Sequence, residues 1–131
     1  MIQRTASRGG FEDEAGYCRA VRAGSAITVS GTVAVPPAGS ALAAMDTYEQ
    51  TRNALAVGIE AVESLGGDRN TIVHTRLYLS PGGSWRDASR AHRGVFADSR
   101  PANTTVYVSA LIPPGALIEI ELQAVTVEAK A

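Results

Sequence analysis

Hydrophobic and polar residues alternate with a period of two along several stretches of the chain. Residues 26–35 (AITVSGTVAV) place Ile27, Val29, Val33 and Val35 on one face. Residues 71–80 (TIVHTRLYLS) place Val73, Leu77 and Leu79 opposite His74, Arg76 and Tyr78. This alternation predicts two half-buried β-strands.

Two other stretches have the spacing of amphipathic helices. Between a capping residue at Asp46 and the Gly66–Gly67 pair, apolar residues recur at Leu55, Ile59, Val62 and Leu65. Ser84 stands three residues before Asp87, which resembles the start of a capping box. The apolar stripe of this second predicted helix consists of Trp85, Ala88, Val95 and Phe96.

The closing stretch, residues 100–125 (RPANTTVYVSALIPPGALIEIELQAV), predicts two strands joined at a proline–glycine corner. Alternation in the second strand sends Ile118, Ile120, Leu122 and Ala124 to one face and Glu119, Glu121 and Gln123 to the other. We expect the apolar face to meet the two helices. The order strands, helix, strand, helix, strand, strand predicts one α/β domain over residues 1–131.

The opposite face of this sheet mixes small, aromatic and charged residues: Thr28, Ser30, Thr32, His74, Arg76, Tyr78, Thr105, Tyr107, Ser109, Glu119 and Glu121. Such a mixture suits contact with another subunit, with clefts where subunits meet. An ordinary solvated antiparallel face has a similar pattern. The pattern alone leaves both interpretations open.

Composition narrows the classes of partner. With 12 basic and 13 acidic residues the formal charge is −1, which offers no broad cationic surface for a nucleic-acid backbone. The apolar runs are too short to cross a bilayer, so no membrane partner is expected. The single cysteine, Cys18, and an N-terminus without an apolar signal region favour a soluble protein of the cytoplasm.

No metal or cofactor is predicted. His74 and His92 do not form a metal-binding pair on one element, and no Cys, His and carboxylate residues have metal-ligand spacing. The Gly-Gly pairs that begin at positions 9, 66 and 82 lack the lysine of a phosphate loop. We expect His92 to be packed near the apolar stripe of its helix.

Five segments together resemble the Rid family of reactive intermediate deaminases, also called the YjgF (RidA) family. They are residues 15–35 (AGYCRAVRAGSAITVSGTVAV), the helix that begins at Asp46, residues 71–80, the second helix and residues 100–125. The most specific parts are Gly-Tyr at 16–17, VSG at 29–31 and the EIE of the last strand. The resemblance implies a chorismate-mutase-like α+β fold with two helices on one face of a mixed sheet. It also implies a homotrimer with a central barrel and three intersubunit clefts.

The resemblance also assigns roles to residues of the cleft. Glu119 matches the glutamate that positions water and is the expected catalytic residue. Tyr17 matches the tyrosine at the rim, Ser30 and Gly31 match the serine–glycine turn, and Thr105 occupies a position often held by cysteine.

Asn103 stands where the family has an arginine that pairs with a substrate carboxylate. A guanidinium is a charged, bidentate fork, whereas an amide is neutral. We therefore expect poor activity on 2-imino acids and recognition of a neutral carbonyl or amide. Arg76 is the better candidate for a replacement cation, because Arg100 precedes Pro101 on a predicted exposed loop.

Each candidate residue also has a structural interpretation. Glu119 could be a solvated strand acid or an interface ion-pair partner, Asn103 a turn residue, and Tyr17 an interface packing residue. The favoured function is a divergent Rid-type enzyme, a hydrolase or deaminase acting on an imine, enamine or related electrophile. The alternatives are a trimer that binds a small ligand without turnover and a protein with an interaction or chaperone-like role.

Overall fold

The computed structural model describes residues 1–127, in which six strands form one sheet and three α-helices accompany it. The strands are β1 (Ile2–Arg4), β2 (Ala20–Ala23), β3 (Ala26–Thr32), β4 (Ile72–Leu79), β5 (Ala102–Tyr107) and β6 (Ile118–Val125). The helices are α1 (Phe11–Ala15), α2 (Thr47–Ser64) and α3 (Trp85–Phe96). This arrangement confirms the predicted mixed α+β fold.

The sheet has the order β1-β2-β3-β6-β4-β5, and β4 and β5 form its one parallel pair in the part of the chain described. The last strand in sequence, β6, therefore lies in the middle, between β3 and β4. Helix α3 connects β4 to β5, as a parallel pair requires a crossover connection. The acids of β6 consequently have a strand on either side.

Helix α2 begins at a capping box in which the Asp46 side chain accepts from the backbone of Glu49 and the Glu49 side chain accepts from Asp46. Its buried face includes Leu55 and Val62, as predicted. At Gly58 the helix approaches β6 so closely that a Cβ atom there would lie 2.8 Å from Leu122 Cδ1. The predicted apolar face of β6 is thus the face against which the helix packs.

Helix α3 has the predicted Ser84 cap, whose side chain accepts from the backbone N–H of Asp87. Ala88 and Phe96 of the predicted stripe are buried, and Val95 packs against the core. Trp85 was assigned to the same stripe, and this was wrong, because it stands at the first turn with half of its surface exposed and Arg86 over its ring.

Two strands depart from the predicted alternation of buried and exposed residues, and the cause in both is an irregularity in register. Strand β3 ends at Thr32, and an irregularity between Val29 and Thr32 reverses the alternation, so that Thr32 is buried while Val35 is exposed. A similar irregularity between Ile72 and His74 leaves Val73 exposed. One extra residue in a strand exchanges its two faces from that point onward.

Strand β5 also differs from expectation, because Asn103, Thr105 and Tyr107 lie on the helix side of the sheet. They pair in parallel register with Thr75, Leu77 and Leu79, whose side chains are buried. The Tyr107 hydroxyl donates to Gly83 O, just before α3. Thr105 and Tyr107 therefore do not share the face that carries Glu119. Among the described residues, no helix is long and apolar enough to cross a membrane.

Candidate functional site

The irregularity in β3 forms the floor of the candidate site. Ser30 and Gly31 lie at the break in register between β3 and β6. The Ser30 hydroxyl donates to Cys18 O at 2.7 Å, and its backbone N–H donates to Arg19 O at 2.8 Å. These two hydrogen bonds connect the distorted part of β3 to the segment before β2. The predicted serine–glycine turn is therefore stabilised by contacts within one chain.

Glu119 lies directly over Gly31. A Cβ atom added at Gly31 would be 2.6 Å from Glu119 Oε2, which is inside van der Waals contact. Real side chains do not approach so closely, so the carboxylate occupies space that only a glycine leaves empty. The glycine at this position is required by the place of the carboxylate rather than by a special backbone angle.

The environment of Glu119 raises the pKa of its carboxyl group. Burial is the main cause that raises the pKa of this half-buried carboxyl, and the neighbouring charge of Glu121 raises it further. The positive charge of Arg19 acts in the opposite direction. A carboxyl group with a raised pKa is a stronger base than an ordinary glutamate and is suited to accept and return a proton during one reaction cycle.

A buried ion pair supports the floor from below. Arg19 Nη2 lies 3.2 Å from Glu12 Oε2, and both side chains are mostly buried. Arg19 Nη1 donates to Gly31 O and, at 3.0 Å, to Thr32 Oγ1. The guanidinium carbon lies 5.6 Å from the centre of the Tyr17 ring. Arg19 thus connects α1, the rim tyrosine and the β3 irregularity. It is hydrogen-bonded to α1 and to β3, and it contacts the tyrosine ring through its guanidinium.

No pattern in the sequence indicates this ion pair. Glu12 and Arg19 are separated by seven positions, with Glu12 on α1 and Arg19 just before β2, so no periodic pattern links them. Glu12 is only 4% exposed although α1 is a single short helix that ends at Gly16, in the left-handed conformation. From the sequence alone, an acidic residue on so short a helix is expected to be exposed.

The remaining polar residues beside Glu119 form diagonal pairs across β4 and β6. The Tyr78 hydroxyl donates to Glu121, and this hydrogen bond is the main cause that raises the pKa of the phenol. Arg76 Nη1 donates to Gln123 Oε1 at 3.1 Å. Arg76, the predicted replacement cation, therefore has its guanidinium hydrogen-bonded to the Gln123 amide rather than to Glu119.

Glu119 lines two cavities. The larger, of about 750 Å³, is lined by Tyr17, Ser30, Gly31 and Glu119 together with Arg8, Arg19 and apolar residues that include Phe11 and Ile112. The smaller, of about 380 Å³, shares Gly31, Ile112, Glu119 and Glu121 and adds Tyr78. Arg76 lines neither of these two cavities, whereas Arg8 and Arg19 line the larger one.

The structure therefore brings together four of the predicted site residues within one chain: Tyr17, Ser30, Gly31 and Glu119. It does not bring Asn103 or Thr105 to them, because those residues lie on the helix side at the free edge of the sheet. There Asn103 Nδ2 donates to Thr75 Oγ1 at 3.0 Å, and the Thr105 hydroxyl donates to Asn103 Oδ1 at 2.9 Å. Within residues 1–127, no group of three or more His, Cys, Asp or Glu side chains is arranged to hold a metal ion.

Comparison with known sequences gives one family and several relatives. The family described as endoribonuclease L-PSP matches residues 10–126. An uncharacterized protein of Streptomyces coelicolor is 32% identical over 94% of this chain and 91% of its own. A mouse protein named 2-iminobutanoate/2-iminopropanoate deaminase is 30% identical over 83% of this chain and 80% of its own.

Comparison with solved structures agrees. A member of the YjgF/YER057c/UK114 family from Mycobacterium tuberculosis aligns with a TM-score of 0.85 and 34% identity, covering 96% of this chain and all (100%) of the other. A structure from Thermotoga maritima, titled a putative endoribonuclease, aligns with a TM-score of 0.77 and 27% identity over 86% of this chain and 87% of its own.

Proposed function

The chain belongs to the Rid family, also called YjgF and described as endoribonuclease L-PSP, and from that premise we propose that it hydrolyses a carbon–nitrogen double bond in a small molecule. The enzyme acts as a cytoplasmic homotrimer whose sites lie between subunits. Its substrate is an imine, an enamine or a related electrophile that carries a neutral recognition group.

The single observation that carries this proposal is the Glu119 carboxyl, which is half-buried over Gly31 and lines two cavities. A carboxyl group with a raised pKa, close to space that holds a small molecule, is arranged for proton transfer rather than for packing. The ion pair beneath it fixes the backbone of the floor and leaves the carboxyl itself free of a salt bridge among the described residues.

The proposed reaction needs one water and one proton carrier. Water attacks the imine carbon while Glu119 takes a proton from that water, and the electron pair of the double bond moves to nitrogen. Glu119 then returns the proton to nitrogen, which gives a carbinolamine. In a second transfer Glu119 takes the hydroxyl proton and delivers it to the amine nitrogen, the carbon–nitrogen bond breaks, and the products are a carbonyl compound and ammonia, or an amine where the imine nitrogen carries a substituent. The same carboxyl acts first as a base and then as an acid, as a group with a raised pKa allows.

The choice of substrate rests on Asn103. Relatives from mouse and human carry the name 2-iminobutanoate/2-iminopropanoate deaminase, and those substrates are carboxylates. A charge-assisted hydrogen bond to a carboxylate contributes about 1.5–3 kcal/mol, so an amide in the place of a guanidinium costs roughly one to two decades in affinity. We expect 2-imino acids to be poor substrates and neutral analogues to be better ones.

The trimer supplies what one chain lacks. The mouth of the larger cavity carries apolar side chains that stand open in the single chain, with Ile112 85% exposed and Phe11 57% exposed. Exposed apolar residues around a polar cavity are typical of a subunit contact. We propose that the edge strand β5 of a neighbouring subunit covers this mouth and brings its Asn103 and Thr105 toward Glu119.

The presence of Asn103 in place of the family's arginine also favours a second function. A site without the cationic clamp can bind a small ligand and perform no turnover. In that case Glu119 orients the ligand, and its loss changes affinity alone.

The test uses Glu119→Gln with Glu60→Gln, an exposed acid on α2, as the matched control. Hydrolysis of the N-methyl imine of a 2-keto amide is followed by the loss of imine absorbance, beside the imine of the matching 2-keto acid. Glu119→Gln is expected to lower turnover by about 10²-fold or more, whereas Glu60→Gln leaves it unchanged. Unaltered turnover in a correctly assembled Glu119→Gln protein would contradict the enzyme and support the binding protein.

A further inference from the structure

Four polar side chains form a continuous hydrogen-bonded chain from α3 to the free edge of the sheet. His92 Nε2 lies 2.8 Å from Thr75 Oγ1, Thr75 Oγ1 accepts from Asn103 Nδ2 at 3.0 Å, and Asn103 Oδ1 accepts from Thr105 at 2.9 Å. Thr75 is fully buried in the middle of this chain. We call the set of His92, Thr75, Asn103 and Thr105 the edge relay.

With Asn103 Nδ2 on the inner side, the chemistry of the four groups sets the direction of the edge relay. An amide nitrogen only donates, so the Thr75 oxygen accepts from Asn103 and has its own proton left for His92. His92 Nε2 is then the acceptor, which places the imidazole proton on Nδ1. Each donor in the relay has an acceptor, and the buried threonine hydroxyl is satisfied on both sides.

The reverse arrangement is also self-consistent, and it has a different outer end. If His92 carried its proton on Nε2, it would donate to Thr75, Thr75 would donate to Asn103 Oδ1, and the amide nitrogen would turn toward Thr105. The state of His92 thus selects whether Asn103 shows an acceptor or a donor at the edge. The orientation of an amide follows from its network, because oxygen and nitrogen have the same shape.

One observation favours the first arrangement. Asn103 Nδ2 also lies 3.5 Å from Thr75 O, a backbone carbonyl that can only accept, so nitrogen rather than oxygen belongs on the inner side. Burial lowers the pKa of His92, and its ring lies against Phe96 with centroids 4.7 Å apart, which favours the neutral imidazole that both arrangements require.

We propose that Thr75 and His92 are positioning residues that hold the carbonyl oxygen of Asn103 outward, so that the edge selects a substrate with a neutral N–H or O–H donor, such as a carboxamide, and disfavours a carboxylate. This inference rests on the proposed function, since it names the substrate class of the same site. An outward oxygen attracts a donor and repels an anion. The family's arginine would do the opposite.

The test reads the edge relay in the ligand-free protein first. In ¹⁵N spectra of the full chain, His92 is expected to have its proton on Nδ1, and a proton on Nε2 would overturn the proposal. The side-chain amide signals of Asn103 are then followed during titration with propanamide and with propanoate. They are expected to move with propanamide at concentrations at least tenfold lower than with propanoate, and equal responses would overturn the proposal.

Two substitutions at Thr75 separate positioning from folding. Thr75→Val removes the hydroxyl with little change of shape and is expected to abolish the preference for propanamide, while Thr75→Ser restores it. With an imine substrate, Thr75→Val should raise KM for the keto amide by about tenfold with kcat nearly unchanged, as for one lost hydrogen bond. A preference retained in Thr75→Val would overturn the proposal. If no imine is hydrolysed, the proposed function fails, whereas the spectra still decide the edge relay.

Discussion

The two faces of the sheet hold their polar groups in different ways. On the side that carries Glu119, charged groups line the cavities, and the buried Glu12 is paired with Arg19. On the helix face, the edge relay contains neutral groups only, and each donates or accepts a hydrogen bond within the relay. Burying an unpaired charge costs far more than burying a satisfied neutral group, which agrees with a buried Glu12 that is paired and a Glu119 that is only half-buried.

This difference separates two tasks that an imine hydrolase needs. Proton transfer requires a carboxyl group whose charge can change, and the cavity face provides it in Glu119. Recognition of a neutral group requires fixed donors and acceptors, and the helix face provides these in Asn103. The two parts lie on opposite faces of one chain, so the proposed function requires a neighbouring chain to bring them together.

The largest effect is expected from Arg19→Ala. The substitution leaves the Glu12 carboxylate buried without its partner and removes the donor to Gly31 O. Breaking a buried ion pair by removing one member costs about 3–5 kcal/mol of folding free energy. Unfolding in urea measures this loss.

A second substitution shows whether the loss comes from the buried charge. Glu12→Gln in the Arg19→Ala background removes that charge and is expected to recover part of the stability. If Arg19→Ala unfolds at the same urea concentration as the wild type, Arg19 does not support the floor of the site.

The next effect concerns the place of the carboxyl. Gly31→Ala inserts a methyl group 2.6 Å from Glu119 Oε2, and the end of the glutamate side chain must move. Because the moving group is flexible, stability should change little, whereas turnover should fall by about 10- to 100-fold through misplacement of the carboxyl. Gly94→Ala is the control, since the added Cβ has its nearest neighbour at 3.8 Å. Full turnover in Gly31→Ala would show that the position of Glu119 is not critical.

The smallest effect is a dependence of stability on pH. The pKa of Glu119 in the folded chain is raised above its usual 4.5 by burial and by Glu121. Its contribution to stability is therefore fully present below pH 4.5 and is lost as pH rises through the raised pKa. Glu119→Gln, which stays neutral, should be the more stable protein at pH 7 by less than about 1 kcal/mol, because the group is half exposed to solvent screening.

Urea unfolding of wild type and Glu119→Gln at several pH values tests this sign. The difference between them should shrink as pH falls toward 4.5. A Glu119→Gln protein that is less stable than wild type at pH 7 would show that the carboxylate is favourably paired in the folded state.

Sequence predicted the regular parts of the molecule better than the site. The caps at Asp46 and Ser84 and the two faces of β6 follow local rules that each depend on a few neighbouring residues, and they are confirmed. The irregularity at Ser30 and Gly31 reverses the faces of β3 after Val29, and a period-two pattern continues through it unchanged. The feature that forms the site is therefore the feature that the pattern misses.

The remaining differences arise from edges and short elements. Strand β5 lies at the edge and is mostly exposed on both faces, so its alternation carries no information about which face meets the helices. Strands β1 and β2 and helix α1 have 3, 4 and 5 residues, too few for a period to be visible. The contact between Glu12 and Arg19 depends on these short elements, and so it could not be predicted.

The measurement that tests the division between the two faces most directly mixes two defective chains. Glu119→Gln and Asn103→Ala chains are co-expressed with different tags, and trimers that contain both are purified. If each site takes Glu119 from one chain and Asn103 from its neighbour, these mixed trimers should have about a third of the wild-type rate, because one of the three interfaces in each receives both intact residues. If the rate stays at the average of the two parent proteins, both residues act within one chain or Asn103 takes no part, and the shared site is contradicted.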